Sequence, residues 1–330
     1  MTVKILWAFF GAFLVTMVIG LMLVPALRRM KAGQSIREDG PVWHMSKQGT
    51  PTMGGLMFIG GIAFACIVGG LREINAGDWR HIIILAFSLV FAAIGFLDDY
   101  EKLKKKQNLG LTVLQKFFLQ LAAAVVLIML LRYMGYLSPN LYIPFFNVTW
   151  KLPEVIYYIF AAFVIVGGVN AVNITDGIDG LVTGVTIPVA LCYTAIAAVW
   201  GYTAVGIFGA ALAGGLVAFL IFNFHPAKVF MGDTGSLFLG GAVCATAFAL
   251  DMPLILIPLG LIYIVETLSD IIQVAYFKAT HGKRIFKMAP LHHHLEMSGW
   301  GERRIFITFT AISTMLAVLS FFAVSGRFVA

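Results

Sequence analysis

The chain has 330 residues; 60% are hydrophobic, 12% are charged, and the formal net charge is +7. Soluble domains are about half apolar and about a quarter charged, so this composition excludes a soluble globular fold. Lysine and arginine concentrate in the cytoplasmic loops of membrane proteins, so the positive charge does not indicate nucleic-acid binding. The three cysteines lie inside apolar stretches and predict packing rather than a disulfide framework.

Ten apolar segments follow one another along the chain and predict an all-α, polytopic membrane protein. Each is long enough to cross a hydrocarbon core, and the alternating pattern of a β-barrel is absent from the sequence. The first segment lacks a small-residue cleavage pattern, which favours an uncleaved helix over a signal peptide. We expect one integral-membrane domain over residues 1–330. The segments cover about 5–24, 52–70, 81–97, 113–134, 155–169, 178–199, 203–222, 235–250, 254–277 and 305–324.

The positions of the lysines and arginines predict the orientation of these segments. With the N-terminus outside, sixteen of the 23 cations fall in five cytoplasmic loops. The reverse orientation would place those sixteen outside, against the positive-inside rule. We therefore expect both termini outside. The cytoplasmic loops would be 25–51, 98–112, 170–177, 223–234 and 278–304.

Carboxylates gather on the same side. Ionisable groups at membrane depth are costly and usually functional. A set of carboxylates converging on one face, beside many cations, predicts a polar cleft at the cytoplasmic surface. Its members are Asp98, Asp99, Asp176, Asp179 and Asp233 at the loops, with Glu266 and Asp270 inside the ninth segment.

The first motif, GFLDDY at 95–100, ends the third segment with Asp98 and Asp99. Adjacent carboxylates suit a divalent cation, or one acting as a base beside the other. A merely solvated helix end explains them equally well. Lys116, near the start of the fourth segment, is expected to face the cleft. The cluster Lys102, Lys104, Lys105 and Lys106 is expected to contact anionic lipid headgroups.

The second motif, NAVNITDGIDG at 170–180, is a polar run inside a membrane protein. Asn173 follows Asn170 by three residues, and Asp179 follows Asp176 by three, so each pair shares a helical face if the helix continues. Two glycines allow a ligand to approach the backbone closely. A cap and a turn account for one aspartate and one glycine but leave the rest of the run unexplained.

The third motif, NFHPAKVFMGDTGS at 223–236, directly precedes the eighth segment. Asp233 at that place is either a helix N-cap or a ligand for the Mg²⁺ that accompanies a phosphate. A glycine-rich helix N-terminus is itself a phosphate site.

The fourth motif, APLHHHLEMSGW at 289–300, carries His292, His293 and His294. Neighbouring residues point in different directions and no cysteine accompanies them, so phosphate contact or proton transfer fits at least as well as zinc binding. On the ninth segment, Gln273 extends a polar stripe that begins at Glu266.

Together these motifs resemble the polyprenyl-phosphate N-acetylhexosamine-1-phosphate transferases. The resemblance runs from TPTMGG at 50–55 to the last segment and keeps order and spacing. It implies Mg²⁺-dependent transfer of phospho-N-acetylmuramoyl-pentapeptide from the UDP-sugar to undecaprenyl phosphate, giving lipid I and UMP. It also implies a bacterial inner (plasma) membrane enzyme whose active site faces the cytoplasm. The question of a homodimer is left open.

The resemblance also assigns roles to single residues. Asp98 and Asp99 correspond to the aspartate pair near the lipid phosphate, with Asp98 as candidate base. Asp233 corresponds to the magnesium ligand, and His292, His293 and His294 correspond to the catalytic histidine loop. The candidate residues for binding the nucleotide substrate are Lys47, Lys116, Asn173, Asp176, Asp179, Asn223, Phe230 and Gln273.

Three alternatives compete with this interpretation. A sister transferase would use UDP-N-acetylglucosamine, but the form of the histidine loop argues against it. A secondary transporter would suit ten segments with intramembrane acids, yet transporters place their sites near the midplane. A lipid-binding scaffold leaves the aspartate motifs unexplained.

Overall fold

A computed structural model of the chain describes residues 1–30, 47–105, 110–324 and 327. Most of the predicted loop 25–51, with Lys31, and the predicted headgroup contact Lys106 lie outside the described residues. The helices are α1 (Thr2–Arg29), α2 (Gly55–Asn75), α3 (Arg80–Lys105), α4 (Val113–Tyr133), α5 (Glu154–Thr175), α6 (Leu181–Trp200), α7 (Thr203–Asn223), α8 (Gly232–Ala249), α9 (Leu256–Leu259), α10 (Leu261–Ala279), α11 (Leu291–Glu296) and α12 (Glu302–Ala323).

Eight of the described helices are long and apolar enough to cross a membrane, and the bent pair formed by 253–259 and α10 would make a ninth. The prediction of an all-α polytopic membrane protein is thereby confirmed, while the count of ten spans and the sidedness stay predictions. Helix α8 corresponds to the remaining predicted segment. It is rich in glycine and alanine, and every residue from Thr234 to Ala249 is buried. Because α8 packs against α3 and α5 rather than lipid, small residues suffice for its close packing.

The predicted apolar segment 254–277 is helical but not one straight helix. The chain instead forms a 3-10 turn at Pro253–Ile255 and the short helix α9, then bends by 79° into α10. Gly260 stands at the break and Pro258 lies two residues before it. A Cβ atom at Gly260 would stand 2.6 Å from the Leu256 carbonyl oxygen, so the bend needs a residue without a side chain there. Pro258, which lacks a backbone N–H, further weakens the helix before the break. The bent helix α10 leaves one apolar face exposed, with Leu261, Val265, Leu268, Ile271 and Ile272.

A small β-hairpin between α4 and α5 was not predicted by the all-α interpretation. Strand β1 (Asn140–Ile143) pairs antiparallel with β2 (Val148–Lys151). Phe145 in its turn donates a backbone hydrogen bond to Ala323, at the C-terminal end of α12. Each strand has only four residues, too few for a distinct alternating pattern between two long apolar segments.

One end of the helix bundle gathers the polar motifs, and we call it the site end. The C-terminal end of α3 meets the N-terminal ends of α4 and α8 there, as shown by bonds of Thr234 to Asp99 and of Lys116 to Asp233. The C-terminal end of α5 joins them through Asn173. The hairpin lies at the opposite end, beside the end of α12. Of the seven predicted carboxylates, five lie close together at this end: Asp98, Asp99, Asp176, Asp179 and Asp233.

Candidate active site

The N-terminus of α8 is held by a carboxylate from another helix. Asp99, at the end of α3, accepts hydrogen bonds from the backbone N–H groups of Asp233 (3.1 Å) and Thr234 (2.9 Å). It also accepts one from the Thr234 hydroxyl at 2.7 Å. The first N–H groups of a helix have no partner within the helix, and a negative charge there also meets the positive end of the helix dipole. Asp99 thus caps α8 and fixes the position of Asp233.

Close backbone contact between α3 and α8 depends on Gly95. A Cβ atom at this position would stand 2.1 Å from the Asp233 carbonyl oxygen, which leaves no space for a side chain. Gly95 lies one turn before Asp99 on α3. The glycine of the first motif therefore lets the two helices meet where the carboxylates are presented.

Asp98 and Asp233 face each other across two ammonium groups. Lys102 Nζ lies 2.6 Å from Asp98 and 2.9 Å from Asp233. Lys116 Nζ lies 2.9 Å from Asp233 and 3.8 Å from Asp98. Asp98 is buried, and its other oxygen accepts a hydrogen bond from the backbone N–H of Leu111 at 2.9 Å. These four side chains, Asp98, Lys102, Lys116 and Asp233, form what we call the charged cluster.

Lys102 corrects one sequence prediction, because it lies in the charged cluster rather than among lipid headgroups. Its spacing of four residues from Asp98 on one helix was a usable signal. Lys104 is exposed, and Lys105 pairs with Glu101 at 2.7 Å. Of the three described lysines at the end of α3, only Lys102 therefore reaches Asp98 and Asp233.

The second motif contributes Asn173 and Asp176 beside the charged cluster. Asn173 donates to Asp233 at 2.9 Å and to the Ser236 hydroxyl at 2.7 Å, so it holds the remaining carboxylate oxygen of Asp233. Asp176 follows the end of α5. Burial, reinforced by the carboxylates of Asp233, Asp99 and Asp179, raises the pKa of Asp176 to about 8. A carboxyl group in such surroundings favours its neutral form until positive charge enters the cleft.

A second group of charges surrounds Lys47, and we call it the Lys47 network. Lys47 Nζ lies 2.8 Å from Asp179 and 2.7 Å from Glu302. Asp179 also accepts from the Ala227 backbone N–H at 2.9 Å and contacts His225 at 3.0 Å. Ligand atoms of Asp179, His225 and Glu302 come within 4.8 Å of one another, a spacing that a metal would accept. In this structure the Lys47 ammonium bridges Asp179 and Glu302, so a metal bound here would compete with Lys47.

Two of the predicted binding residues, Asn223 and Phe230, form hydrogen bonds that hold the loop between α7 and α8. The buried Asn223 donates to the Val229 carbonyl at 3.1 Å and accepts from Thr183 at 2.9 Å. The Phe230 N–H donates to the Pro51 carbonyl at 2.8 Å. The Gly54 N–H donates to the Phe230 carbonyl at 2.8 Å. The TPTMGG stretch is thereby joined to the third motif, and the Phe230 ring remains half-buried.

The histidines of α11 have three different partners. His292 contacts the buried Glu266 at 2.8 Å, and His293 contacts Glu296 at 2.7 Å. His294 accepts from the Lys287 backbone N–H at 3.1 Å. The structure therefore separates the roles of residues that the sequence presented as one set.

Gln273 connects α10 to the loop that carries the histidines. Its side-chain oxygen accepts from the N–H groups of Ile285 and Phe286 at 3.0 and 3.1 Å. Its amide donates to the Phe286 carbonyl at 3.0 Å. The Phe286 ring in turn packs edge-on against His294. Gln273 therefore fixes the start of the histidine segment.

Known proteins resemble the chain over nearly its whole length. A model of glycosyl transferase family 4 matches residues 81–251. Signature 1 of phospho-N-acetylmuramoyl-pentapeptide-transferase matches residues 47–59. The phospho-N-acetylmuramoyl-pentapeptide-transferase of Heliobacterium modesticaldum is 49% identical over 96% of each chain. That of Staphylococcus carnosus is 46% identical over 93% of this chain and 95% of its own, and that of Clostridium acetobutylicum is 43% identical over 96% and 98%.

The chain belongs to the phospho-N-acetylmuramoyl-pentapeptide transferases of glycosyl transferase family 4. The resemblance seen in the sequence is thereby confirmed. The alternatives of a secondary transporter and a lipid-binding scaffold are set aside, because the relatives are transferases over nearly the whole length of the chain. The comparisons give no support for a homodimer.

The donor set of this transferase fits a hard divalent cation at the charged cluster. Asp98 and Asp233 come from separate helices, present only oxygen atoms, and turn toward the same two ammonium groups. Mg²⁺ prefers oxygen ligands, so it would use these two carboxylates, in competition with the two ammonium groups. The predicted magnesium ligand Asp233 lies at the centre of this arrangement.

Glu302 and Glu266 are the residues that the sequence interpretation of the transferase left without a role. Glu302 is the first residue of α12, where an acidic residue is ordinarily explained by the helix dipole. Its partners Lys47 and Asp179 lie more than a hundred residues away in the chain. Glu266 was seen only as part of a polar stripe, since its partner His292 lies 26 residues further along the chain, on another helix.

Proposed function

We propose that the chain transfers phospho-N-acetylmuramoyl-pentapeptide from its UDP-sugar to undecaprenyl phosphate, giving lipid I and UMP in bacterial peptidoglycan synthesis. The observation that carries this proposal is the charged cluster, in which two carboxylates and two ammonium groups meet at one end of a membrane bundle. Phosphoryl transfer requires mainly positioning and charge neutralisation, which such a cluster supplies.

Within this reaction each part of the site has a task. Lys102 and Lys116 neutralise phosphate oxygens, and Asp98 is the candidate base for the lipid phosphate. Asp233 would hold Mg²⁺, which would supply further neutralisation of the diphosphate. Asp99 keeps Asp233 in place through the N-terminus of α8. Residues that bind the nucleotide come from several parts of the site end, namely Lys47, Asn173, Asp176, Asp179, Asn223, Phe230 and Gln273.

An apolar surface beside Asp98 supports a lipid substrate. Leu111 donates its backbone N–H to Asp98 and also lines an open cavity of about 470 Å³ at the start of α4. The other lining residues are Leu114, Gln115, Phe118 and Leu119. A polyprenyl chain in this cavity would bring its terminal phosphate toward the charged cluster from the membrane side.

The choice of sugar is assigned to the loop that carries the histidines. All transferases of this kind must hold a nucleotide diphosphate, so the aspartate motifs do not distinguish between sugars. The loop before α11 exposes Lys283 and Arg284, which suit an anionic peptide. His292, His293 and His294 follow on α11, close to the same segment.

The test is a side-by-side transfer assay of the purified protein with undecaprenyl phosphate and either UDP-N-acetylmuramoyl-pentapeptide or UDP-N-acetylglucosamine. We expect lipid I and UMP from the first substrate and at least about a hundredfold lower turnover with the second, because a missing set of polar contacts is heavily penalised. Equal use of both sugars would favour the sister transferase instead.

The sidedness of the site is part of the proposal and has its own test. We expect cysteines replacing Lys104 and Arg284 to react only with reagent added from the cytoplasm, and one replacing Ala76 only from outside. All three positions are exposed, and the native Cys66, Cys192 and Cys244 are buried, so background labelling should be low. Labelling with the sides exchanged would contradict a cytoplasmic active site.

A further inference from the structure

Glu266 and His292 form a buried pair beneath the histidine helix. The Oε2 atom of Glu266 lies 2.8 Å from Nδ1 of His292, and it also accepts the His292 backbone N–H at 3.3 Å. The two side chains are 0% and 1% exposed. A pair so completely removed from water has one dominant geometry, because neither side chain can exchange its partner for solvent.

This contact determines which ring nitrogen carries the proton. A carboxylate only accepts hydrogen bonds, so it selects the histidine form with a hydrogen on Nδ1. In the neutral ring the other nitrogen, Nε2, then presents a lone pair. The backbone bond to the same carboxylate oxygen holds the N-terminal turn of α11 as well as the ring.

The Nε2 atom faces the turn that follows α5. It is buried and has no hydrogen-bond partner among the described residues. A Cβ atom at Gly177 would stand 2.0 Å from Nε2, so the ring lies directly against the backbone of this glycine. Gly177 is in the turn between Asp176 and Asp179, which the proposed function assigns to the nucleotide. The ring therefore connects the histidine helix to that turn.

We propose that Glu266 is a positioning residue for the transfer reaction, which holds His292 in the Nδ1–H form so that Nε2 is an acceptor at the Asp176–Gly177 turn. Gly177 is part of the same arrangement, because a side chain at this position would displace the His292 ring. The three residues couple α10, α11 and the turn after α5. The functional consequence rests on the proposed function, whereas the hydrogen position does not.

The first experiment measures the hydrogen position without substrate. The full-length protein, labelled with ¹⁵N-histidine in lipid nanodiscs, is examined by NMR, and the His292 signal is identified by its loss in His292→Gln. We expect a protonated Nδ1 and an unprotonated Nε2. Glu266→Gln, which keeps an oxygen acceptor, should retain this form, and Glu266→Leu should shift it toward Nε2–H. A wild-type ring protonated at Nε2 alone, or an unchanged signal in Glu266→Leu, would overturn the proposal.

The second experiment measures transfer with the same variants. Removing a partner that orients a metal-ligating histidine typically lowers activity about 10–100-fold, and we take this as the scale for His292. We expect Glu266→Leu and Gly177→Ala each to lower turnover at least about tenfold, with Glu266→Gln nearer to the wild type. The double variant should be hardly worse than either single one, because both disturb the same ring.

Matched controls separate this role from a loss of folding. Gly167→Ala introduces the same methyl group on α5, where nothing lies within 4 Å, and should leave turnover unchanged. Fully additive losses of turnover in the Glu266→Leu/Gly177→Ala double variant would contradict a common effect on the His292 ring. If the hydrogen position follows Glu266 but no variant transfers less, the role in the reaction is refuted. If the wild type itself transfers nothing, the proposed function fails instead. The NMR result would then still show whether Glu266 sets the hydrogen position on His292.

Discussion

Asp233→Asn is expected to abolish transfer while leaving a folded protein. Asp233 accepts hydrogen bonds from Lys102, Lys116 and Asn173, so the amide would remove the charge on which both ammonium groups converge. Loss of one preorganised electrostatic contact typically costs about 10²–10³ in turnover, and we expect at least that. The measurement is lipid-product formation over a Mg²⁺ titration, with thermal unfolding followed in parallel.

The control for this variant is Asp251→Asn. Asp251 lies away from the site end and is bonded to Ser138 and Arg327. It should leave the magnesium dependence unchanged whatever it does to stability. Near-normal transfer by Asp233→Asn at ordinary Mg²⁺ concentrations would mean that Asp233 has only a structural role at the start of α8. It would contradict the proposed metal site.

Asp98→Asn and Asp99→Asn are expected to lower turnover for different physical reasons. Asp99→Asn replaces an acceptor of three hydrogen bonds by an amide, so the cap of α8 is weakened. Loss of a cap costs about 0.5–2 kcal/mol, and we expect a lower unfolding temperature together with lost turnover. Asp98→Asn removes the charge beside Lys102 and the proposed base, so turnover should fall with little change in the unfolding temperature.

The pH dependence of the residual activity provides the second comparison. If Asp98 is the base, Asp98→Asn should change the acidic limb of the rate profile, while Asp99→Asn should lower the rate with the profile preserved. Identical profiles together with equal unfolding temperatures would contradict the division of roles. Unfolding temperature and rate profile thus report on the cap and on the base separately.

The sequence was sufficient for those features that depend on local pattern. Apolar length predicted the helices, and the aspartate motifs predicted Asp98 and Asp233 at one end of the bundle. The break at Gly260 was missed because the residues on both sides are apolar, and hydropathy does not report direction. The hairpin was missed because its strands are too short for periodicity to develop.

The partners of the site residues were harder to predict, for a geometrical reason. Spacing along one sequence shows which residues share a helical face, but the Lys47 network joins elements more than a hundred residues apart. In the sequence Glu302 therefore looked like an ordinary acidic residue at a helix N-terminus. Glu266 looked like an ordinary polar residue of α10. Lys102 is the exception, since its partner Asp98 lies on the same helix.

The burial of α8 has a consequence for how the chain enters the membrane. A segment that leaves the insertion machinery alone must be apolar enough to tolerate lipid, but α8 carries Asp233 and many small residues. Its packing partners, α3 and α5, precede it in the chain, and the Asp99 residue that caps it has already been synthesised when α8 is made. The order of synthesis thus supplies a proteinaceous surface into which a weakly apolar helix can insert. A chain in which α8 preceded α3 would have to retain this helix at the insertion machinery until its partners arrived.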